Sequence, residues 1–143
     1  MNIILKDKQV AIISLSPKEE FIASLTGYCT EKQIAAGYIT AIGACDKLKI
    51  AWYNLETKQY EDHEYKEDIE IAGIIGNVAL IDGKPFIHAH GTFGRRDMSV
   101  IGGHIRSMTI SAACEVRLEV FSGKIERKYD KFTGLKLMGC EVK

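Results

Sequence analysis

Residues 72–92 read AGIIGNVALI-DG-KPFIHAHGT, and this stretch decides the fold that we expect for the chain. Two β-rich runs flank Asp82-Gly83, a residue pair typical of the tight type I′ turn of a β-hairpin. The first run is apolar and interrupted by Gly76, which favours a central strand. The stretch therefore predicts two antiparallel strands, residues 72–81 and 84–92, joined by a two-residue turn.

Further runs with strand character lie on both sides of this hairpin. Cys45-Asp46 separates residues 37–44 from residues 47–54, and we expect a short strand in each. The second run predicts a half-buried antiparallel strand, because two sets of residues alternate along it: Lys47, Lys49 and Ala51 with Leu48, Ile50 and Trp52. Other predicted strands are residues 10–15 (buried), 60–70 (an exposed edge strand), 109–121 and 124–129.

One helix is predicted near the N-terminus. Ser16-Pro17-Lys18-Glu19 has a capping serine, a proline at the first helical position and a glutamate at the third, which together make a capping box. Apolar residues at 21, 22, 25 and 29 follow with helical spacing, so we predict a helix from about 17 to 32. One helix and roughly seven or eight hairpin-connected strands indicate the α+β class, with a mostly antiparallel sheet in a compact single domain over residues 1–143.

Composition excludes several classes of protein. Hydrophobic residues make up 46% and charged residues 27% of the chain, as in ordinary globular proteins. Lys and Arg together number 19, as do Asp and Glu, and this zero net charge argues against a protein that mainly wraps nucleic acid. The N-terminus lacks a secretory signal, and no apolar stretch is long enough to span a membrane. We therefore expect no membrane partner.

Four cysteines, Cys29, Cys45, Cys114 and Cys140, form no Cys-x-x-Cys pair and match no zinc-finger spacing. We expect them to be free thiols that pack as small hydrophobic side chains. Free thiols are typical of a reducing compartment, which predicts a cytoplasmic protein.

The histidines carry the strongest chemical signal. His88 and His90 lie two apart on a predicted strand, so their side chains share one face. His104 follows Gly102-Gly103, and two glycines allow the backbone to come close and turn sharply, which would bring a third imidazole to the same point. Three neutral imidazoles suit Zn²⁺ or another divalent transition metal and leave a coordination position open. An ordinary surface pair of histidines remains the alternative, and His63, in a charged segment, is predicted to be solvated.

Charged residues near these histidines suggest further roles. Asp97 and Glu115 could supply a carboxylate that binds the metal directly or that orients one of the histidine ligands. The loop that contains Arg95 is either a cover over the site that binds an anion or a solvated surface loop. Arg106 would point to the same face as His104 on an extended strand, where it could face an anion or pair with an acid.

A basic cluster near the C-terminus offers limited support for binding nucleic acid. Glu126 and Asp130 interrupt it, and the sequence lacks the Arg-Gly-Arg-Pro hook that enters the minor groove. The cluster is therefore a weak phosphate-binding patch; it consists of Lys124, Arg127, Lys128, Lys131 and Lys136.

The chain resembles the plants-and-prokaryotes-conserved (PPC) domain family at three places: residues 86–91 (FIHAHG), residues 100–105 (VIGGHI) and the later Glu115. Ile42-Gly43-Ala44 and residues 75–78 (IGNV) extend the resemblance over nearly the whole chain. It implies a compact α+β fold, a homotrimer, and a metal such as zinc bound near subunit interfaces by His88, His90 and His104.

The resemblance also carries a DNA-binding label, which comes from plant members whose AT-hooks bind AT-rich DNA while the domain trimerises and recruits partners. This chain has no AT-hook, and residues 69–75 (IEIAGII) depart from the plant pattern. The fold is also similar to that of acetolactate decarboxylases, zinc enzymes with an H-x-H…H set, and that likeness carries no substrate.

Three hypotheses follow. The first is a metal-binding homotrimer that binds or converts a small carbonyl or carboxylate compound. In it Glu115 is a fourth ligand or proton shuttle, and Arg106 or Arg95 clamps the anion. The second is a DNA-associated regulatory protein, and the third is a trimeric scaffold for protein partners.

Overall fold

Residues 1–139, which the computed structural model describes, form one α-helix and nine β-strands. In chain order they are β1 (Asn2–Asp7), β2 (Val10–Leu15), α1 (Phe21–Glu31), β3 (Gly37–Asn54), β4 (Gln59–Tyr65), β5 (Ile69–Ile81), β6 (Lys84–Gly94), β7 (Val100–Val120), β8 (Arg127–Tyr129) and β9 (Lys136–Met138). The predicted α+β class with a mostly antiparallel sheet is confirmed.

Seven strands form one antiparallel sheet in the order β1-β2-β7-β6-β5-β3-β4. Because β3 also pairs with β7, strands β3, β5, β6 and β7 close into a ring. β8 and β9 form a separate two-stranded sheet. Within residues 1–139, no helix combines the length and the apolar character that crossing a membrane requires.

The central hairpin is present as predicted. β5 and β6 pair from Ile81 and Lys84 at the turn onward, and Asp82 and Gly83 have φ angles of 51° and 77°. Two consecutive positive φ angles are the mark of a type I′ turn. The Asp-Gly pair therefore sets the register that places His88 opposite Asn77 and His90 opposite Ile75.

The two strands predicted for residues 37–44 and 47–54 are one continuous strand, β3. Its pairing with β7 shifts register at three places, and such bulges bend a strand without ending it. Near its end, however, Ala51 is buried and Trp52 is 62% exposed. The predicted alternation therefore fails beyond Ile50.

The helix starts four residues later than predicted, at Phe21, and Glu20 rather than Ser16 caps it. Lys18 has a φ of 74°, which a right-handed helix does not allow. The backbone there pairs with β7 instead: Lys18 N donates to the Ile110 carbonyl, and Ile110 N donates to the Glu19 carbonyl. Glu19 still accepts a hydrogen bond from Ser16 N at 2.7 Å, so half of the capping box survives as a turn.

The hydrophobic core lies between the strand ring and α1, which packs on β6 and β7. Phe21, Leu25 and Cys29 of the helix are fully buried, as is Phe93 of β6. Residues of the opposite sheet face, which we call the outer face, point away from this core. Tyr38, Thr40 and Ile42 mark the outer face on β3.

The strand register carries this outer face from β3 to the histidines. Thr40 pairs with Ile75 of β5, and Ile75 pairs with His90 of β6. On its other side Thr40 pairs with Arg117 of β7. His90, Ile75, Thr40 and Arg117 thus form one row across four strands, since residues directly opposite each other share a face.

Candidate metal centre

Three histidines meet where β6 and β7 pair. His88 and His90 project from β6 on the outer face, and His104 of β7 lies directly opposite His90 in the register. The sequence prediction that these three side chains reach one point in space agrees with this geometry.

Glycine backbone makes this meeting of strands possible. Gly91 lies opposite Gly103, and a Cβ atom placed on Gly102 would come within 2.9 Å of the Gly91 carbonyl oxygen. A Cβ on Gly103 would lie 3.0 Å from the Ala51 carbonyl oxygen. Side chains at these positions would push the strands apart, so the predicted close approach at Gly102-Gly103 is confirmed. The predicted sharp turn is wrong, because both glycines lie within the continuous strand β7.

The three imidazole rings form a compact triangle. Ring centroids lie 5.1 Å apart for His88 and His90, 5.1 Å for His88 and His104, and 5.3 Å for His90 and His104. One nitrogen from each ring lies within 4.8 Å of the other two. Tetrahedral Zn²⁺ with bonds of about 2.0 Å needs nitrogens about 3.3 Å apart, so the triangle would have to contract to hold the ion.

Burial keeps the cluster neutral. His104 is only 8% exposed, His88 is half-buried and His90 is open to solvent. Burial lowers the pKa of His88 and of His104 to about 4, with the Arg127 charge and neighbouring histidines adding to the effect. Burial also lowers the pKa of His90. Neutral imidazole is the form that binds metal ions, so the site is ready for a metal at neutral pH.

A cavity of about 260 Å³ adjoins His88 and His104. Tyr60 of β4 covers one side, with its ring centroid 5.0 Å from that of His104. Arg106, two residues beyond His104, also lines the cavity; it lies over the Tyr60 ring and reaches Asp62 at 3.6 Å. The prediction that Arg106 shares the face of His104 therefore agrees with the structure, and its guanidinium has an acidic neighbour.

Arg127 is the residue that the sequence did not single out for this site. It lies on β8, and its Nη2 atom donates to Asn77 Oδ1 at 2.9 Å and lies 3.0 Å from His88 Nδ1. Nη1 donates to the Lys136 carbonyl at 3.1 Å. Burial lowers the pKa of this guanidinium. No local sequence pattern predicts the contact between Arg127 and His88, because it depends on how β8 folds back over β5 and β6.

Glu115 lies away from the cluster. It is the outer-face residue next to Arg117 on β7, opposite Ile42, and that part of β7 is separated from His90 by β5 and β3. Three strand spacings, about 14 Å along the sheet, therefore separate its row from His90. Glu115 is therefore not part of the histidine cluster of its own chain, and its role as a fourth ligand or proton shuttle stays a prediction.

The loop after β6 also turns away from the cluster. Arg95 pairs with Glu67 at 3.0 Å, and Asp97 accepts hydrogen bonds from the backbone and hydroxyl of Ser99. These hydrogen bonds lower the pKa of Asp97. Arg95 and Asp97 therefore stabilise their own loop, which agrees with the alternative of a solvated surface loop rather than with a cover over the site.

The remaining expectations concern the cysteines and the surface charges. Cys29, Cys45 and Cys114 are buried free thiols as expected, and Cys140 lies outside the described residues. Burial raises the pKa of each of the three to about 12. In the C-terminal basic cluster, Lys124 pairs with Glu126 and Lys136 pairs with Asp82, while Arg127 turns inward. His63 is exposed, as predicted.

Two solved structures resemble the chain along almost its full length. A "putative DNA binding protein" from Bacteroides thetaiotaomicron is 33% identical, with 96% of each chain covered and a TM-score of 0.92. A metal-containing protein from Archaeoglobus fulgidus is 34% identical, covers 96% of this chain and 98% of its own, and has a TM-score of 0.87. None of the functionally curated proteins matches the sequence.

A more distant likeness concerns the fold alone. The α-acetolactate decarboxylase of Bacillus subtilis is 12% identical, with a TM-score of 0.56 over 77% of this chain and 51% of that one. This agrees with the fold similarity expected from the sequence. The family model of the Plants and Prokaryotes Conserved domain matches residues 4–122. With the full-length likeness to the two solved structures, this match shows that the chain belongs to the Plants and Prokaryotes Conserved domain family.

Proposed function

We propose that this protein binds a divalent transition metal, zinc by preference, through His88, His90 and His104, and uses it to bind or convert a small carbonyl or carboxylate compound. The observation that carries the proposal is the meeting of three neutral imidazoles beside a cavity. A neutral three-nitrogen donor set fits Zn²⁺ and leaves a fourth position for water or ligand. The likeness to a protein described as metal-containing adds support.

A bound Zn²⁺ would lower the pKa of a water molecule or polarise a carbonyl oxygen. The chain's own residues arrange the space around that point. The Tyr60 ring packs on His104, and the Tyr53 ring packs on Tyr60 at 4.8 Å between centroids. This aromatic stack limits the orientations of the His104 ring and keeps water away from one side of it.

The walls of the cavity favour a small ligand with negative charge. Ile81, Phe86 and Leu137 contribute apolar surface, and Arg106, Arg127 and Lys136 contribute positive charge. Among residues 1–139, no acidic side chain lines this cavity. Its volume of about 260 Å³ lies just below that of ordinary ligand pockets, which suits a molecule of a few heavy atoms.

The proposal includes a homotrimer, which the family resemblance implies. Exposed apolar side chains on the outer face support self-association: Tyr38 is 46%, Ile42 56% and Ile75 61% exposed. Ile75 lies beside His90, so a neighbouring subunit on this patch would approach the histidines. Light scattering on wild type and on Ile42→Asp tests this part. A monomeric wild type would refute it, and dissociation by Ile42→Asp would locate the interface.

DNA association is the alternative, suggested by the name of the Bacteroides protein. The pairing of Lys124 and Lys136 with acids and the inward position of Arg127 argue against an open phosphate-binding patch.

The proposed location is the cytoplasm, where the buried thiols of Cys29, Cys45 and Cys114 would remain reduced.

The deciding experiment is elemental analysis of protein purified without a histidine tag and then exposed to Zn²⁺. We expect close to one metal ion per chain in the wild type and little in His88→Ala/His90→Ala. His63→Ala is the matched control, because it removes a histidine from the exposed strand β4. No metal in the wild type, or equal metal in the double variant, would refute the proposal.

A further inference from the structure

The C-terminal hairpin, β8 and β9 with their connection, forms one wall of the cavity. It lies beyond residues 4–122, which the family model matches. Two contacts fix it in place: Tyr53 Oη donates to the Thr133 carbonyl at 2.7 Å, and Lys136 pairs with Asp82. Just before the hairpin, Leu80 N donates to the Ile125 carbonyl at 2.7 Å. The hairpin is therefore tied to both sides of the cavity and holds its residues in defined positions.

Three cations line the cavity, and their partners differ. Arg106 has Asp62 at 3.6 Å, and Lys136 has Asp82 at 2.7 Å. Within residues 1–139, no carboxylate lies within ion-pairing distance of Arg127, whose hydrogen-bond partners are the neutral Asn77 side chain, the neutral His88 ring and a backbone carbonyl. Its charge is thus the one at this cavity that no acidic side chain in that range balances.

The guanidinium of Arg127 also has an unused donor. Its Nε atom is buried and makes no hydrogen bond within the described chain. Buried donors without partners are rare in folded proteins, and each calls for an explanation, such as a ligand, ion or water that completes its hydrogen bonds. Phe86 lies under the guanidinium at 5.6 Å and holds it beside the cavity. A half-buried arginine without an acidic partner is a poor contributor to stability and a good receptor for an anion.

We propose that Arg127 is the anion-recognition residue of this cavity and that the ligand is a small carboxylate, which replaces His88 as the partner of Nη2. Two parallel N–H donors on one edge of a guanidinium match the two oxygens of a carboxylate. The proposal deepens the proposed function, because the same carboxylate would lie beside the metal centre. It replaces Arg106 and Arg95 as the anion clamp.

The test uses pyruvate, a small carboxylate with a neighbouring carbonyl, and its neutral amide as the matched ligand. Calorimetric titration compares wild type with Arg127→Gln, Arg127→Lys and Arg106→Gln. Lys124→Gln is the control variant, because it removes the same charge from the exposed start of this C-terminal segment. Thermal unfolding establishes that each variant is folded, and Arg127→Lys supplies the answer if Arg127→Gln is not.

We expect Arg127→Gln to bind pyruvate roughly tenfold to a hundredfold more weakly than wild type, the usual range for a lost hydrogen bond to a charged group. Arg127→Lys should also bind more weakly, because a lysine lacks the planar fork. Lys124→Gln should match wild type, and affinity for the amide should hardly change. Unchanged pyruvate affinity in both Arg127 variants, a larger loss in Arg106→Gln, or no binding to wild type would overturn the proposal.

Metal content is measured on the same samples, so the two proposals can fail separately. A wild type without metal whose pyruvate binding still depends on Arg127 would refute the metal centre and leave the anion site standing. A metal-loaded wild type whose pyruvate binding does not depend on Arg127 would refute the anion site and leave the metal centre standing.

Discussion

The stability of the metal-free protein should fall as the pH drops from 6.5 to about 5, because His88 and His104 are buried in the neutral form. Their pKa is about 4 in the folded chain against 6.5 for the free side chain. Between these values the unfolded chain binds more protons than the folded one, so lowering the pH favours unfolding. The histidine contribution is complete above pH 6.5 and is lost as the pH falls toward 4.

The size of the effect follows from the same shifts. Each histidine changes the free energy of unfolding by at most about 1.4 kcal/mol per pH unit. Because the unfolded side chain is only half protonated at pH 6.5, the change between pH 6.5 and 5 is about 1.5 kcal/mol for each. His104 owes part of its lowered pKa to His88, so the two contributions overlap and together amount to about 2–3 kcal/mol. Hydrogen bonds hold the pKa of Glu19 and of Asp130 below the ordinary values of 4.5 and 3.8, so these carboxylates affect stability only at lower pH.

Urea unfolding at a fixed protein concentration measures this, after dialysis against a chelator. His88→Gln/His104→Gln should lose much less stability across the window, because glutamine does not titrate. The matched control is His63→Gln, which removes an exposed histidine of β4 and should follow wild type. Equal losses in the double variant and in wild type would show that the cluster is not the source, and a flat wild-type profile would refute the buried neutral state.

Three other predictions test separate features of the fold. Gly43→Ala should cost more than about 3 kcal/mol in urea unfolding, because φ is 153° and the new Cβ would lie 2.2 Å from the Ala113 carbonyl oxygen; Gly73→Ala, with nothing within 4 Å, is the control. Tyr53→Phe removes the hydrogen bond to Thr133 and should cost about 1 kcal/mol; amide exchange in β8 and β9 should accelerate, and unchanged exchange would show that this bond does not hold the hairpin. AT-rich duplex DNA should not bind at about 50 mM salt, where phosphate contacts are strong, and a salt-dependent anisotropy change would contradict this.

The sequence was sufficient for local features with strong backbone signals. The Asp-Gly turn, the His-x-His face and the close approach at Gly102 depend on a few adjacent residues, and all three are present. The predicted start of the helix was wrong because the positive φ of Lys18 accompanies its pairing with Ile110, a contact between distant residues. The capping pattern of Ser16 and Glu19 carries no information about that contact.

Long-range pairing also explains the positions of two residues that the sequence did not indicate. Glu115 lies on the strand that carries His104, but the register of β3 and β7 places it three strands from His90. Arg127 belongs to a basic segment that would suit a surface patch, and only the fold of the C-terminal hairpin brings it to His88. In both cases the residue type was recognised and the partner was not, since the partner depends on how distant strands pair.

The charges around the histidines link the two proposals. A divalent metal at His88 would lie close to the Arg127 guanidinium, and two positive groups in a half-buried site repel each other. Among residues 1–139, no carboxylate lines the cavity to offset this repulsion. A carboxylate bound between the metal and Arg127 would attract both positive groups and so offset their repulsion. Because coupling between two ligands is reciprocal, the metal should then strengthen anion binding by the same factor as the anion strengthens metal binding.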